Sequence, residues 1–186
     1  MRRVIAFEQV SLDGFFVDAK GDMSWAHKQD PEWNAFAAGN ASGGGGLLFG
    51  RVTYEMMAGF WPTPAAAEQA PAVAEGMNAA PKVVFSRTLQ KPSWKNTKLV
   101  KGDLDAEVRK LKQEPGPDMA ILGSGTIVSQ LTQARLIDEF QIVVNPVVLG
   151  KGRTLFEGVQ DRLALKLVKT RAFANGNVVL YYEPVK

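Results

Sequence analysis

Short apolar runs, each closed by turn-forming residues, alternate along the chain with longer stretches in which apolar side chains recur at helical spacing. Arg3 to Val10 gathers Val4, Ile5, Phe7 and Val10 without a breaker, and Leu47 to Phe49 and Lys82 to Phe85 are shorter runs of the same kind. Met119 to Leu122 stops at Gly123, and Phe140 to Val144 stops before Asn145-Pro146. Near-continuous apolar runs of this length predict strands covered on both faces, as in a parallel sheet. Leu163 to Phe173 and Asn177 to Tyr182 flank Asn175-Gly176, a pair suited to positive φ, and so predict an antiparallel hairpin. Helical patterns cover Pro31 to Ala38, Val52 to Phe60, Ala65 to Met77, Leu104 to Lys112 and Thr126 to Ala134. Strand and helix in alternation, closed by a hairpin, predict an α/β fold of three layers, with a mostly parallel mixed sheet and an antiparallel C-terminal hairpin. Gly43-Gly44-Gly45-Gly46 looks like a flexible join from the first helix into the second strand, and reads above all as a plain loop, since it lacks the lysine and helix of a phosphate loop.

A length of 186 residues with 46% hydrophobic content fits one core, so residues 1–186 are expected to form a single domain. The 22 lysines and arginines barely exceed the 19 acidic residues and are scattered, which argues against a nucleic-acid partner and leaves small anions plausible. The chain has no cysteine and one histidine, His27. Disulfides, thiolate nucleophiles, cysteine-based clusters and multi-histidine metal sites are thereby excluded. Glu8, Gln9 and Asp13 interrupt the N-terminus before a signal-peptide core develops, and no run of about 18 apolar residues occurs anywhere. The expectation is a soluble, cytoplasmic protein without a membrane partner.

Three strand ends carry candidate chemistry. Leu47-Leu48-Phe49 stops at Gly50 and turns at once into the helix that starts Arg51-Val52-Thr53. Free N–H groups and the positive end of a helix dipole favour anions at such a junction, and Arg51 adds a phosphate-shaped fork. A plain glycine turn beside a surface arginine is the competing reading. Val83-Val84-Phe85 ends similarly at Ser86-Arg87-Thr88. Met119 to Leu122 runs into Gly123-Ser124-Gly125-Thr126, whose glycines permit a tight turn and close approach of an oxyanion. That turn lacks the full dinucleotide fingerprint, and a helix start capped by Ser124 is its alternative. In parallel α/β sheets the carboxyl ends of the strands share one edge, so all three junctions are expected to converge there.

Ser11-Leu12-Asp13-Gly14, Trp25, Gly50-Arg51-Val52-Thr53-Tyr54-Glu55, Ser86-Arg87-Thr88-Leu89, Gly123-Ser124-Gly125, Asp138-Glu139-Phe140 and Asn145-Pro146-Val147-Val148-Leu149-Gly150-Lys151-Gly152 occur in that order. In this order they make the chain resemble stand-alone members of the family named for the C-terminal reductase domain of the bifunctional deaminase-reductase of riboflavin biosynthesis. The resemblance covers nearly the whole chain and implies a dihydrofolate-reductase-like fold with NADPH as cofactor. It implies that Gly50, Arg51, Thr53, Ser86 and Arg87 hold the cofactor's phosphates and adenosine ribose, and that Gly123, Ser124, Gly125 and Thr126 hold its pyrophosphate. Arginines 51 and 87 beside a 2′-phosphate would favour NADPH over NADH. Asp13 sits where the family faces nicotinamide and substrate, which makes it the candidate catalytic residue; the alternative is a turn aspartate before Gly14.

Asp30 reads as the N-cap of the helix that begins Pro31-Glu32, and His27 as a solvated surface residue. Trp25, Trp33, Phe36, Phe60 and Trp61 read as packing for the first two helices, and Leu149 to Arg153 as a connecting turn. The activity implied is hydride transfer to a small heterocyclic or sugar-phosphate-like substrate, as in 5-amino-6-(5-phosphoribosylamino)uracil reductase. An NADPH-binding module without turnover and a pterin-type reductase are the alternatives. The family and the long apolar strand from Phe140 to Leu149 together suggest a homodimer.

Overall fold

A computed structural model describes residues 1–28 and 30–185. Its centre is β1 (Val4–Ser11), which pairs in parallel with β6 (Met119–Leu122) on one side and β7 (Glu139–Asn145) on the other. Beyond β6 lie β3 (Gly46–Gly50), β4 (Lys82–Phe85) and β5 (Thr97–Val100), all parallel. Beyond β7 the hairpin of β9 (Leu165–Ala172) and β10 (Val178–Pro184) joins antiparallel through β10, giving the order β5-β4-β3-β6-β1-β7-β10-β9. Gly176 has φ +90° in the hairpin turn, as its sequence predicts.

Helices cover both faces because side chains alternate along each strand. Val4, Ala6 and Val10 of β1 and Leu48 of β3 pack with α5 (Leu104–Gln113) and α6 (Gly125–Gln133) through Val108, Leu111, Ile127, Val128 and Leu131. The opposite side chains of β3, Leu47 and Phe49, meet Tyr54 of α2 (Arg51–Phe60), Met77 of α4 (Pro71–Ala79) and Trp94. Phe7 packs with Trp33 and Phe36 of α1 (Pro31–Ser42) and with Phe173. The three predicted layers are present. Among the described residues no helix is long and apolar enough to cross a membrane.

Several local expectations change. Ala65 to Met77 divides into α3 (Pro64–Gln69) and α4, because Pro71 supplies no N–H and forces Ala70 out of the helical region, to φ −149° and ψ 69°. The glycine run does join the first helix to the next strand, but as a short loop: α1 extends to Ser42 and Gly46 already pairs with Met119 in the sheet. A separate ribbon of β2 (Phe15–Asp18) and β8 (Gly152–Thr154) was not foreseen, nor was β5. β7 has both edges filled, by β1 and β10, so its apolar character reflects burial within the sheet.

At the amino-terminal edge of the sheet the Asp138 carboxylate accepts from the Val4 amide at 2.7 Å and is paired with the Lys112 ammonium. Lys112 also donates to the Leu136 carbonyl at 3.1 Å, tying α5 to the loop before β7. Replacing Asp138 by alanine leaves the buried Val4 amide without its acceptor and Lys112 without its counter-charge. A loss of about 1–2 kcal/mol is expected in urea unfolding, with the partial exposure of Asp138 limiting the effect.

Candidate functional site

The parallel strands bring Ser86, Gly50, Gly123 and Ser11 to one edge of the sheet, each at or just beyond the carboxyl end of its strand. After β1 the chain continues to α1 on one face, whereas after β6 it enters α6 on the other. Neighbouring strands whose connections leave to opposite faces open a crevice at their carboxyl ends, where ligands bind in such sheets. Phe7 and Leu122 are the last registered pair of β1 and β6, so the crevice begins at Glu8 and Gly123.

The turns around the crevice are stitched together. Ser124 takes the left-handed conformation, φ 64° and ψ 54°, and its hydroxyl accepts from the Gly50 amide at 3.0 Å rather than from its own helix. The cap expected of Ser124 is therefore a bond between two strand ends. The amides of Gly125 and Thr126, in the first turn of α6, have no partner within the helix and no side-chain cap. Gly123 has φ +63°, and a Cβ there would come within 3.1 Å of the Thr53 methyl. Gly50, Thr53 and Gly123 to Thr126 thus form one continuous cradle with donors for an anion. Phe16 of the β2–β8 ribbon lies over it, so close that a Cβ on Gly125 would stand 2.6 Å from the ring.

Beside the cradle runs a groove of about 850 Å³ whose lining includes Ser86, Arg87, Asp103, Asp105, Ser129 and Gln130. The Ser86 hydroxyl accepts from the amides of Leu89 and Thr88 at 2.9 and 3.2 Å, which fixes the turn after β4. Among the described residues Arg87 makes no ion pair, leaving its guanidinium available to a ligand. Asp103 and Asp105 share the groove, so an anionic group is confined to its Arg87 end. Arg51 stands in the first turn of α2, half exposed, and pairs with Glu55 at 3.7 Å.

Asp13 is tied into the turns around it. Its carboxylate accepts from the Ser11 hydroxyl at 2.6 Å and from the Gly150 and Leu149 amides at 2.7 and 3.1 Å. The Ser11 bond above all, with those amides, holds its pKa down at about 2. It carries no proton near neutrality, and its lone pairs fasten the turn after β1 to the loop between β7 and β8. Asp30 caps α1, accepting from the Trp33 amide at 2.8 Å, as expected. Trp33 and Phe36 meet Phe173 at 5.1 and 5.2 Å and serve packing, as does Trp61 against the β3 core, whereas Phe60, edge-on to Trp61 at 5.1 Å, is exposed. Trp25 is partly buried and donates to the Asp22 carbonyl; His27 is exposed.

The family model described as the RibD C-terminal domain matches residues 2–179. The chain belongs to the RibD C-terminal domain family. It is 31% identical over 182 residues to the uncharacterized protein YyaP of Bacillus subtilis (strain 168), covering 98% of this chain and 95% of that one. The uncharacterized protein YwjB of the same organism is 27% identical over 181 residues, covering 97% of each. Among solved structures, a putative riboflavin biosynthesis protein from Shewanella sp. PV-4 superposes with a TM-score of 0.74 at 23% identity, covering 99% of both chains. A diaminohydroxyphosphoribosylaminopyrimidine deaminase/5-amino-6-(5-phosphoribosylamino)uracil reductase from Thermotoga maritima superposes with a TM-score of 0.70 at 15% identity. This chain is covered to 99% there and spans 57% of that longer protein.

Within this family fold the sequence reading passes over one residue of the crevice, Glu8. It sits on β1 between Ala6 and Val10, whose side chains face the core, and is only 2% exposed. The signal available in the sequence was a single carboxylate at an inward position of an otherwise apolar strand.

Proposed function

We propose that the protein is an NADPH-dependent reductase that delivers hydride to a small heterocyclic or sugar-phosphate-like substrate. The observation that carries this reading is the 3.0 Å bond from the Gly50 amide to the Ser124 hydroxyl, which joins two anion-binding turns into one cradle beside the Arg87 groove. The residues present fit a dinucleotide phosphate: uncapped helix amides, close-packed glycines and a guanidinium without an ion pair among the described residues lie along one sheet edge. In this reading Gly125 and Thr126 donate to the pyrophosphate, and Gly50, Thr53, Gly123 and Ser124 shape its bed. Ser86 and Arg87 bind the adenosine ribose and its 2′-phosphate, with Arg51 contributing from the rim.

NADPH, when bound, supplies the hydride. The protein's part is to hold the reacting carbon at the β1–β6 crevice, exclude water beneath Phe16, and orient the acceptor. Asp13 positions the loop after β7 rather than giving up a proton. Family membership, and the reductase named in the Thermotoga maritima protein's description, support hydride transfer over simple cofactor binding.

The test is calorimetric titration with NADPH and NADH, followed by the absorbance of NADPH in the presence of 5-amino-6-(5-phosphoribosylamino)uracil and of pterins. Micromolar NADPH binding with substrate-dependent oxidation is the expected outcome. Binding without oxidation by any heterocycle would leave a nucleotide-binding module, and no binding of either nucleotide would remove the reductase reading.

A further inference from the structure

Glu8 is the one acidic side chain on β1, and it points into the packed face that α5 and α6 cover. Placing a carboxylate there is unfavourable unless something answers its oxygens. Among the described residues its Oε1 has no hydrogen-bond partner, although the atom is fully buried. Orphaned oxygens of this kind are rare in folded proteins and call for a reason. Position supplies one. Glu8 follows the last β1–β6 pair and faces Gly123 across the opening of the crevice, directly before the free amides of α6.

We propose that Glu8 is a further binding residue, a buried carboxyl that hydrogen-bonds an acceptor oxygen of the dinucleotide seated in the β1–β6 crevice. This rests on the NADPH reading above and adds to it a contact outside the glycine turns. Burial raises the Glu8 pKa well above the usual carboxylate range, opposed only by the amide of Gly123. In its neutral form the group carries an O–H, so it donates to a ligand oxygen instead of repelling the anion beside it. Ionisation would reverse that and weaken binding.

Among the described residues no other charge compensates it. β6 and α6 contain no titratable side chain. On β7, Glu139 lies at the far end and is paired with Arg3 at 2.9 Å. On the ribbon, Arg153 stands against the Phe16 ring at 5.7 Å and pairs with Glu157. On α5, Val108 and Leu111 are the residues that join this core, and Lys112 is held by Asp138.

The experiment compares NADPH affinity of the full chain, wild type, Glu8→Gln and Glu8→Leu, from about pH 6 to about pH 9, where buried glutamates titrate. Wild-type affinity is expected to fall toward the alkaline end. Glu8→Gln, which keeps shape and a donor, should bind about as tightly at low pH and lose the alkaline fall. Glu8→Leu should bind about tenfold more weakly throughout, with thermal unfolding no earlier than wild type. Equal affinities in Glu8→Leu and wild type, or identical pH profiles for wild type and Glu8→Gln, would overturn the proposal. If Glu8→Leu fails to fold, the Glu8→Gln profile decides alone. A wild type that binds no NADPH overturns both this contact and the reductase reading, whereas binding that ignores Glu8 overturns only the contact.

Discussion

Replacing Arg87 by alanine should weaken NADPH binding by roughly 30- to 150-fold and leave NADH binding nearly unchanged. The guanidinium lines the groove next to Ser86 and has no carboxylate partner among the described residues, so no internal pair competes with the ligand. A charge-assisted contact to a phosphate contributes about 2–3 kcal/mol, and the remaining phosphate would be left facing Asp103 and Asp105. Arg51→Ala is expected to cost less. Its guanidinium is half exposed and already engaged by Glu55, so solvent and the internal pair share its charge. Calorimetric titration of both variants with both nucleotides separates the roles. An equal loss of NADH and NADPH in Arg87→Ala would place that arginine on a group common to the two nucleotides.

The second large effect concerns the helical layer rather than the site. A Cβ on Gly76 of α4 would stand 2.4 Å from the Ala41 carbonyl oxygen and 2.7 Å from its carbon, both backbone atoms of α1. No rotamer change relieves such a contact, and α1 must move away from α4. Gly76→Ala should therefore lower stability by about 2–3 kcal/mol, a drop of roughly 4–12 °C in Tm for a domain of this size. Gly59 of α2 provides the contrast, with nothing within 4 Å of its added methyl. Gly59→Ala should instead raise stability by about 0.5–1 kcal/mol through helix propensity alone. Differential scanning calorimetry of the two variants reads both signs.

What the chain reveals in one dimension is governed by range. The strand ends at Gly50 and Gly123 were legible because an apolar run stops there and helical spacing begins, and that at Ser86 because an apolar run stops at a polar turn, all local signals. Asp30 as a helix cap was legible for the same reason, since its partner is three residues away. The partner of the Ser124 hydroxyl lies 74 residues away, and the two amides that Asp13 holds lie 136 and 137 residues away, so neither of these ties has a local signature; only the Ser11 bond to Asp13 is local. β2 and β8 are short, and only their pairing with each other defines them. β5 is four residues long, two polar and then two apolar, at a sheet edge, where so weak a pattern suffices because one side of the strand stays unpaired. Glu8 went unread because an isolated acid in a strand resembles an outward position until the register shows which way it points.

The central place of β1 matters also for how the protein is made. Both of its neighbours are encoded late: Val4 pairs with Met119, and Ile5 pairs with Glu139. At ordinary rates of translation, on the order of ten seconds pass between the emergence of β1 from the ribosome and that of β6. Throughout that interval the strand that will stand at the centre of the sheet has both edges open. Holding chaperones that bind extended apolar segments should therefore meet this chain first at Val4 to Val10, and release it once residues 119–145 are free to close around it.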